Sequence, residues 1–163
     1  MTQSLQDSAQ AQSVVDQAVE DFFNQGGTIG MLHGVEKPQL EALYALGYTH
    51  YQSGRFKEAL NLFKGVALLD HFDARAYLGM GGAQQAQGDY QGALHSYSFG
   101  ALMAMDDPRF PFHAAECHHR LGDRATARDA YQMAIELAGA SDAHADLAKR
   151  AGGWIEALAA QEG

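Results

Sequence analysis

The chain has a single cysteine, Cys117, in 163 residues. A lone thiol cannot form an intramolecular disulfide, and it excludes every CxxC-type metal or redox site. Basic residues are scarce as well: eleven Lys and Arg stand against twenty Asp and Glu, for a formal net charge of −9. Nucleic-acid phosphates and anionic lipid surfaces both need a cationic face, so neither nucleic acid nor direct membrane binding is expected. Long apolar runs are missing too, and nothing approaches the roughly 18 residues of a membrane span. The first twenty residues carry Asp7, Asp16 and Glu20 and lack the basic start and apolar stretch of a secretory signal. The expected location is the cytoplasm.

What is present is a period. Gly54, Gly88 and Gly122 are 34 residues apart, as are Ala59, Ala93 and Ala127. An aromatic recurs at the same step in Phe63, Tyr97 and Tyr131, and a small residue in Gly47, Gly81 and Ala115. This order at this spacing is the helix–turn–helix signature of a tetratricopeptide repeat. Each column has a physical task. Gly permits the left-handed backbone that ends the first helix. The two small columns let the helices of a hairpin approach closely, and the aromatic fills the space between neighbouring hairpins.

The apolar spacing agrees. Leu43, Leu46 and Gly47, then Ala59, Leu62, Phe63 and Val66, fall at i, i+3, i+4 and i+7 of amphipathic helices, and no segment alternates as a strand would. Three hairpins are expected over about 40–73, 74–107 and 108–139, within a repeat region of 36–139. Such units bury their apolar faces only by stacking, so end caps are needed. Upstream, an N-terminal helical segment over 11–35 carries the stripe Val15, Ala18, Val19 and Phe22, closed by Gly26-Gly27, with Thr28 starting a short helix through Leu32. Downstream, over 140–163, Ser141 is expected to cap a last helix with Leu147, Ala151, Trp154, Ile155 and Leu158 on one stripe. The first ten residues, rich in Gln and Ser, are expected to be disordered. The predicted fold is all-α: three tandem repeats with N-terminal helices and a C-terminal capping helix, forming a concave superhelical groove.

No chemistry for catalysis stands out. Among eight His, His113 and Cys117 are four apart on a helix, but a structural metal site needs about four ligands and no zinc spacing occurs. Gly79-Met80-Gly81-Gly82 lacks the Lys of a phosphate loop and lies within a helix rather than after a strand. Cys117 takes an interior position in the repeat register, where a small apolar side chain fits. No catalytic residue, metal or cofactor is expected.

The leading helices are more informative. Positions 2, 5, 9, 12 and 13 of each tetratricopeptide unit face the concave surface. They hold Glu41, Tyr44, Tyr48, Tyr51 and Gln52, then Arg75, Leu78, Gly82, Gln85 and Ala86, then Arg109, Phe112, Glu116, His119 and Arg120. The predicted groove has an aromatic wall, a roomy middle and a polar, charged far end. Tyrosine offers apolar area with a hydroxyl that can meet a peptide backbone, and it is enriched among binding hot spots. Repeat adaptors that grip acidic C-termini need Lys and Asn where this chain has Tyr44 and Tyr48, so an extended peptide with apolar side chains is the expected occupant. Packing of these tyrosines against the N-terminal helices is the competing reading.

Three runs carry a resemblance: Pro108-Arg109-Phe110-Pro111-Phe112-His113-Ala114-Ala115-Glu116-Cys117, Leu69-Asp70-His71-Phe72-Asp73-Ala74-Arg75, and Ser96-Tyr97-Ser98-Phe99-Gly100-Ala101-Leu102-Met103. With Gly26-Gly27-Thr28-Ile29 and Leu43-Tyr44-Ala45-Leu46, they resemble the class II chaperones of bacterial type III secretion, the LcrH/SycD-like group. The resemblance implies that the partners are the major and minor hydrophobic translocator proteins, the pore-forming subunits, kept soluble in the bacterial cytoplasm. It also implies a translocator segment with spaced Pro and Leu lying in the groove, against Tyr44, Tyr48 and Tyr51 and facing Leu78. A homodimer of the free protein is implied as well, through the N-terminal segment with Val15, Val19, Phe22 and Phe23. The alternative from another class is an adaptor joining soluble cytosolic proteins through its convex face or its N-terminal helix.

Overall fold

The computed structural model describes residues 13, 14, 16–139 and 141–160, and among them there is no strand. Helix α1 covers 13–24, position 15 apart, and a short α2 spans Ile29–Leu32. Three helix pairs follow: α3 (Lys37–Gln52) with α4 (Phe56–Leu69), α5 (Ala74–Ala86) with α6 (Tyr90–Met103), and α7 (Arg109–Arg120) with α8 (Arg124–Ala138). A one-turn 3-10 helix, Asp142–His144, leads into α9, Ala145–Ala160. Val15, the first ten residues and Ala140 lie outside the described residues.

The 34-residue columns fall on equivalent sites of the three hairpins. Gly54, Gly88 and Gly122 have φ of 73°, 81° and 84°, the left-handed conformation that a Cβ would oppose. One residue after the second and third of them, Asp89 and Asp123 accept hydrogen bonds from the backbone N–H of Gly92 (2.9 Å) and Thr126 (3.2 Å). Each thereby satisfies an otherwise orphaned donor at the start of the outer helix. Ala59, Ala93 and Ala127 are fully buried, and so are Phe63, Tyr97 and Tyr131 to within 2%. Burying a ring such as Phe63 stabilises by roughly 1.5–3 kcal/mol. That gain exists only when hairpins stack, since Phe63 packs with Ala83 of the next hairpin as well as with Ala59 of its own.

Each hairpin packs on the next, and α9 closes the last one by covering α8. The leading helices α3, α5 and α7 also touch one another directly, more closely than α4, α6 and α8 do. An array whose inner helices meet more closely than its outer ones curves, and the leading helices line its concave side. Buried Ala151 and Leu158, with Leu147 and Ile155, join Phe112, Ala115, Ala127, Tyr131 and Ala134 in the terminal core cluster.

Three expectations change. Leu46 is 49% exposed, because Gly47, one residue on, is the position that meets the Phe63 ring. Ser141 makes no side-chain cap; its carbonyl instead accepts from the His144 N–H, and the capping helix begins only at Ala145. Trp154 leaves the buried stripe, at 39% exposure, and turns toward α7 and α8, where it contacts His119 and Tyr131.

Candidate partner-binding groove

The concave face holds a cavity of about 530 Å³. Tyr44, Tyr48 and Tyr51 come to it from α3, Leu78, Gly82, Gln85 and Ala86 from α5, and Glu116 and Arg120 from α7. The i, i+4, i+7 spacing of the tyrosines puts them on one helix face. Tyr44 leans on Phe63, with ring centroids 5.5 Å apart, and Tyr51 meets Phe56 edge-on at 5.4 Å. Tyr48 is 49% exposed. The inner edges of Tyr44 and Tyr51 thus pack on α4 of their own hairpin rather than on the N-terminal helices, and the outer faces of the tyrosines remain available. Burial raises the Tyr44 phenol above its ordinary value, so it stays a neutral donor at physiological pH. Gly82 leaves room opposite Tyr51, where an added Cβ would stand 3.4 Å from that ring.

The far end is a hydrogen-bond chain. The Tyr97 hydroxyl donates to Gln85 Oε1 (2.8 Å), and Gln85 Nε2 donates to Glu116 Oε2 (3.1 Å). The same Glu116 oxygen meets His113 Nδ1 at 2.9 Å, while Arg150 Nη2 lies 3.6 Å from Oε1. Burial pushes the Glu116 carboxyl up, but the bonds from His113 and Gln85 and the charges of His113 and Arg150 outweigh it. The net position is below the ordinary carboxyl value. An adjoining cavity of about 400 Å³ is lined by Gln85, Glu116, His119, Arg120, Tyr131 and Trp154. The Tyr131 hydroxyl is buried with no hydrogen-bond partner among the described residues, a state that costs about 1–3 kcal/mol.

The remaining groove positions are placed differently. Phe112 is fully buried in the terminal core cluster and cannot touch a ligand; α9 covers it, with the Arg150 guanidinium 4.6 Å over its ring. Arg75 is held by Asp73 (2.7 Å) and Glu41 (2.6 Å) and lies 4.8 Å over the Tyr44 ring. It braces the aromatic wall from outside the cavity. Arg109, one repeat on, is held in the same way by Asp107 (2.5 Å). His119 stands edge-on to Trp154 at 5.2 Å. At position 2, Arg75 thus supports the groove, whereas positions 9 and 12, with Ala86 and Arg120 at position 13, line it.

Sequence reasoning missed Arg150, Trp154, Tyr90 and His113 as groove residues. Arg150 and Trp154 lie on α9, outside the 34-residue period, so no register position marked them. Tyr97 was legible as a buried aromatic, but not as the donor that fixes Gln85. Among the described residues no three His, Cys, Asp or Glu side chains come together as metal ligands. Cys117 is buried, and burial together with the charge of Glu116 pushes its thiol up to about 12.

On α1, Val19 and Phe23 are exposed at 46% and 36%, while Phe22 is half-buried, meeting Phe23 edge-on at 5.3 Å. Among the described residues no helix is long and apolar enough to cross a membrane.

The chain is similar in sequence and in structure to known proteins. The tetratricopeptide repeat profile matches residues 3–70, 44–98 and 73–143. Low calcium response locus protein H of Yersinia pestis is 43% identical over 141 residues, covering 86% of this chain and 84% of the relative. Among solved structures, a type III secretion system complex from Aeromonas hydrophila superposes with a TM-score of 0.85 at 42% identity, covering 90% of this chain and 97% of that one. The Yersinia enterocolitica type III secretion chaperone SycD, in complex with a peptide of the translocator YopD, superposes with a TM-score of 0.76 at 40% identity, covering 79% and 98%. SycD has also been solved as an alternative dimer.

Proposed function

We propose that this chain, which belongs to the LcrH/SycD-like family of type III secretion translocator chaperones, binds an extended segment of a hydrophobic translocator in its concave groove. The tyrosine-walled cavity carries this reading. Tyr44, Tyr48 and Tyr51 present apolar faces and hydroxyl groups side by side along one wall, and Leu78 and Gly82 face them from α5. An extended peptide can lay alternate side chains against such a wall while its backbone meets the phenols. The chain acts stoichiometrically and not as an enzyme: it keeps its client soluble in the bacterial cytoplasm by covering apolar surface, with the free energy supplied by that burial. Its charge of −9 keeps loaded complexes apart. The free protein forms a homodimer through the exposed apolar face of α1.

The test is co-expression with the reading frames that neighbour its gene. The wild-type chain is expected to keep one otherwise insoluble product in solution. Tyr44→Ala with Tyr48→Ala should leave the helical circular dichroism unchanged and weaken co-purification, at about 1–2 kcal/mol per lost anchor. Undiminished co-purification with the double variant overturns the groove assignment.

A further inference from the structure

The far end of the groove is rich in donors, and among the described residues that line it the one carboxylate is already engaged. Its cavity shares Gln85, Glu116 and Arg120 with the tyrosine-walled one, so the two form one channel. Glu116 is the acid there, and it is taken up by His113, Gln85 and Arg150. Arg120 is exposed and has no hydrogen bond or ion pair among the described residues. The unpartnered Tyr131 hydroxyl is buried at the same place, in the field of Glu116, Arg150 and Arg120. Two guanidiniums against one carboxylate leave this end positive in a chain whose net charge is −9. A buried donor without an acceptor, beside an uncompensated cation, fits a group that brings both an acceptor and a negative charge.

We infer that this end is an anion seat that takes an Asp or Glu side chain of the bound segment. Arg120 supplies the charge. Tyr131 supplies a second donor once the Trp154 indole, stacked 6.3 Å from the Tyr131 ring and 39% exposed, shifts aside. The seat rests on the reading of the groove as the site of an extended client segment, and it adds a direction to it. Apolar anchors lie toward α3 and the acidic residue toward α7 and α9. The absence of Lys and Asn at Tyr44 and Tyr48 argues against a carboxylate at the α3 end only. The cations sit at the other end, one of them on a helix outside the repeat.

The experiment uses the full chain and fluorescent variants of the YopD peptide, each position replaced in turn by Glu or by Lys. At one position near an end of the peptide, Glu should bind about three- to tenfold more tightly than Lys, with the preference shrinking as salt rises. Arg120→Glu should invert the preference at that position and leave the effect of Tyr44→Ala unchanged. Tyr131→Phe, which keeps the buried ring, should narrow the preference without reversing it. If the peptides bind and depend on Tyr44 and Tyr48, but no position prefers Glu or the preference survives Arg120→Glu, the seat is overturned and the groove stands. If binding is indifferent to Tyr44 and Tyr48, or no peptide binds, the groove reading fails and takes the seat with it.

Discussion

Gly79 of α5 lies so close to the Phe63 ring of α4 that a Cβ built on it would stand 2.7 Å from the ring. The contact joins two hairpins at the floor of the groove, since both residues also line the cavity. It makes the shape of the cavity depend on the stacking of the repeats.

Gly79→Val should therefore destabilise the fold by about 1–3 kcal/mol through overpacking, read from urea unfolding. Ala is the weaker probe, because it regains about 1 kcal/mol of helix propensity and masks the clash. Shrinking the ring in the double variant, Gly79→Val with Phe63→Leu, should recover part of the loss. Strict additivity of the two changes would show that they do not touch.

Acid should weaken the groove's far end. The Glu116 carboxyl is held below its ordinary value of 4.5, so its contribution is complete above that pH. It is lost as pH falls through the lowered folded value. Glu116→Gln, which cannot titrate, should lower the neutral part of the stability curve by that contribution and flatten the acid side, so that the two curves converge in acid. An equally steep acid limb in both proteins would place the titration elsewhere.

Cys117 should be inert in the folded chain. Its thiol is buried and pushed up to about 12, so almost no thiolate is present at mildly alkaline pH. Reaction with a disulfide reagent is expected at the rate of unfolding and to accelerate with urea. Rapid stoichiometric modification without denaturant would contradict this burial.

The α1 face gives a further test. Val19→Asp with Phe23→Asp introduces charge on two exposed apolar positions and should convert the free dimer to monomer in sedimentation. Groove binding of the YopD peptide should persist. An unchanged dimer would move the interface away from α1.

The sequence alone determined the class of fold and the identity of the aromatic wall. The 34-residue columns encode requirements that every hairpin meets in the same way: a left-handed Gly at the turn, a buried Ala at the crossing, a ring between units. Periodicity exposes such constraints because they are local or involve the next repeat only. The same register put Tyr44, Tyr48 and Tyr51 on one face, and the family signature runs pointed to the client class. Tertiary structure decided what happens where the period ends. Position 5 is a groove residue as Tyr44 and Leu78, yet as Phe112 it is core, because α9 packs over the last hairpin where earlier hairpins have a successor. The same helix brings Arg150 and Trp154 to the groove. It also adds the Arg150 charge to those of Arg120 and Glu116 around the Tyr131 hydroxyl, which has no hydrogen-bond partner among the described residues. A repeat pattern specifies which face of a helix turns inward; only the packed array fixes which of those faces a terminal helix then covers.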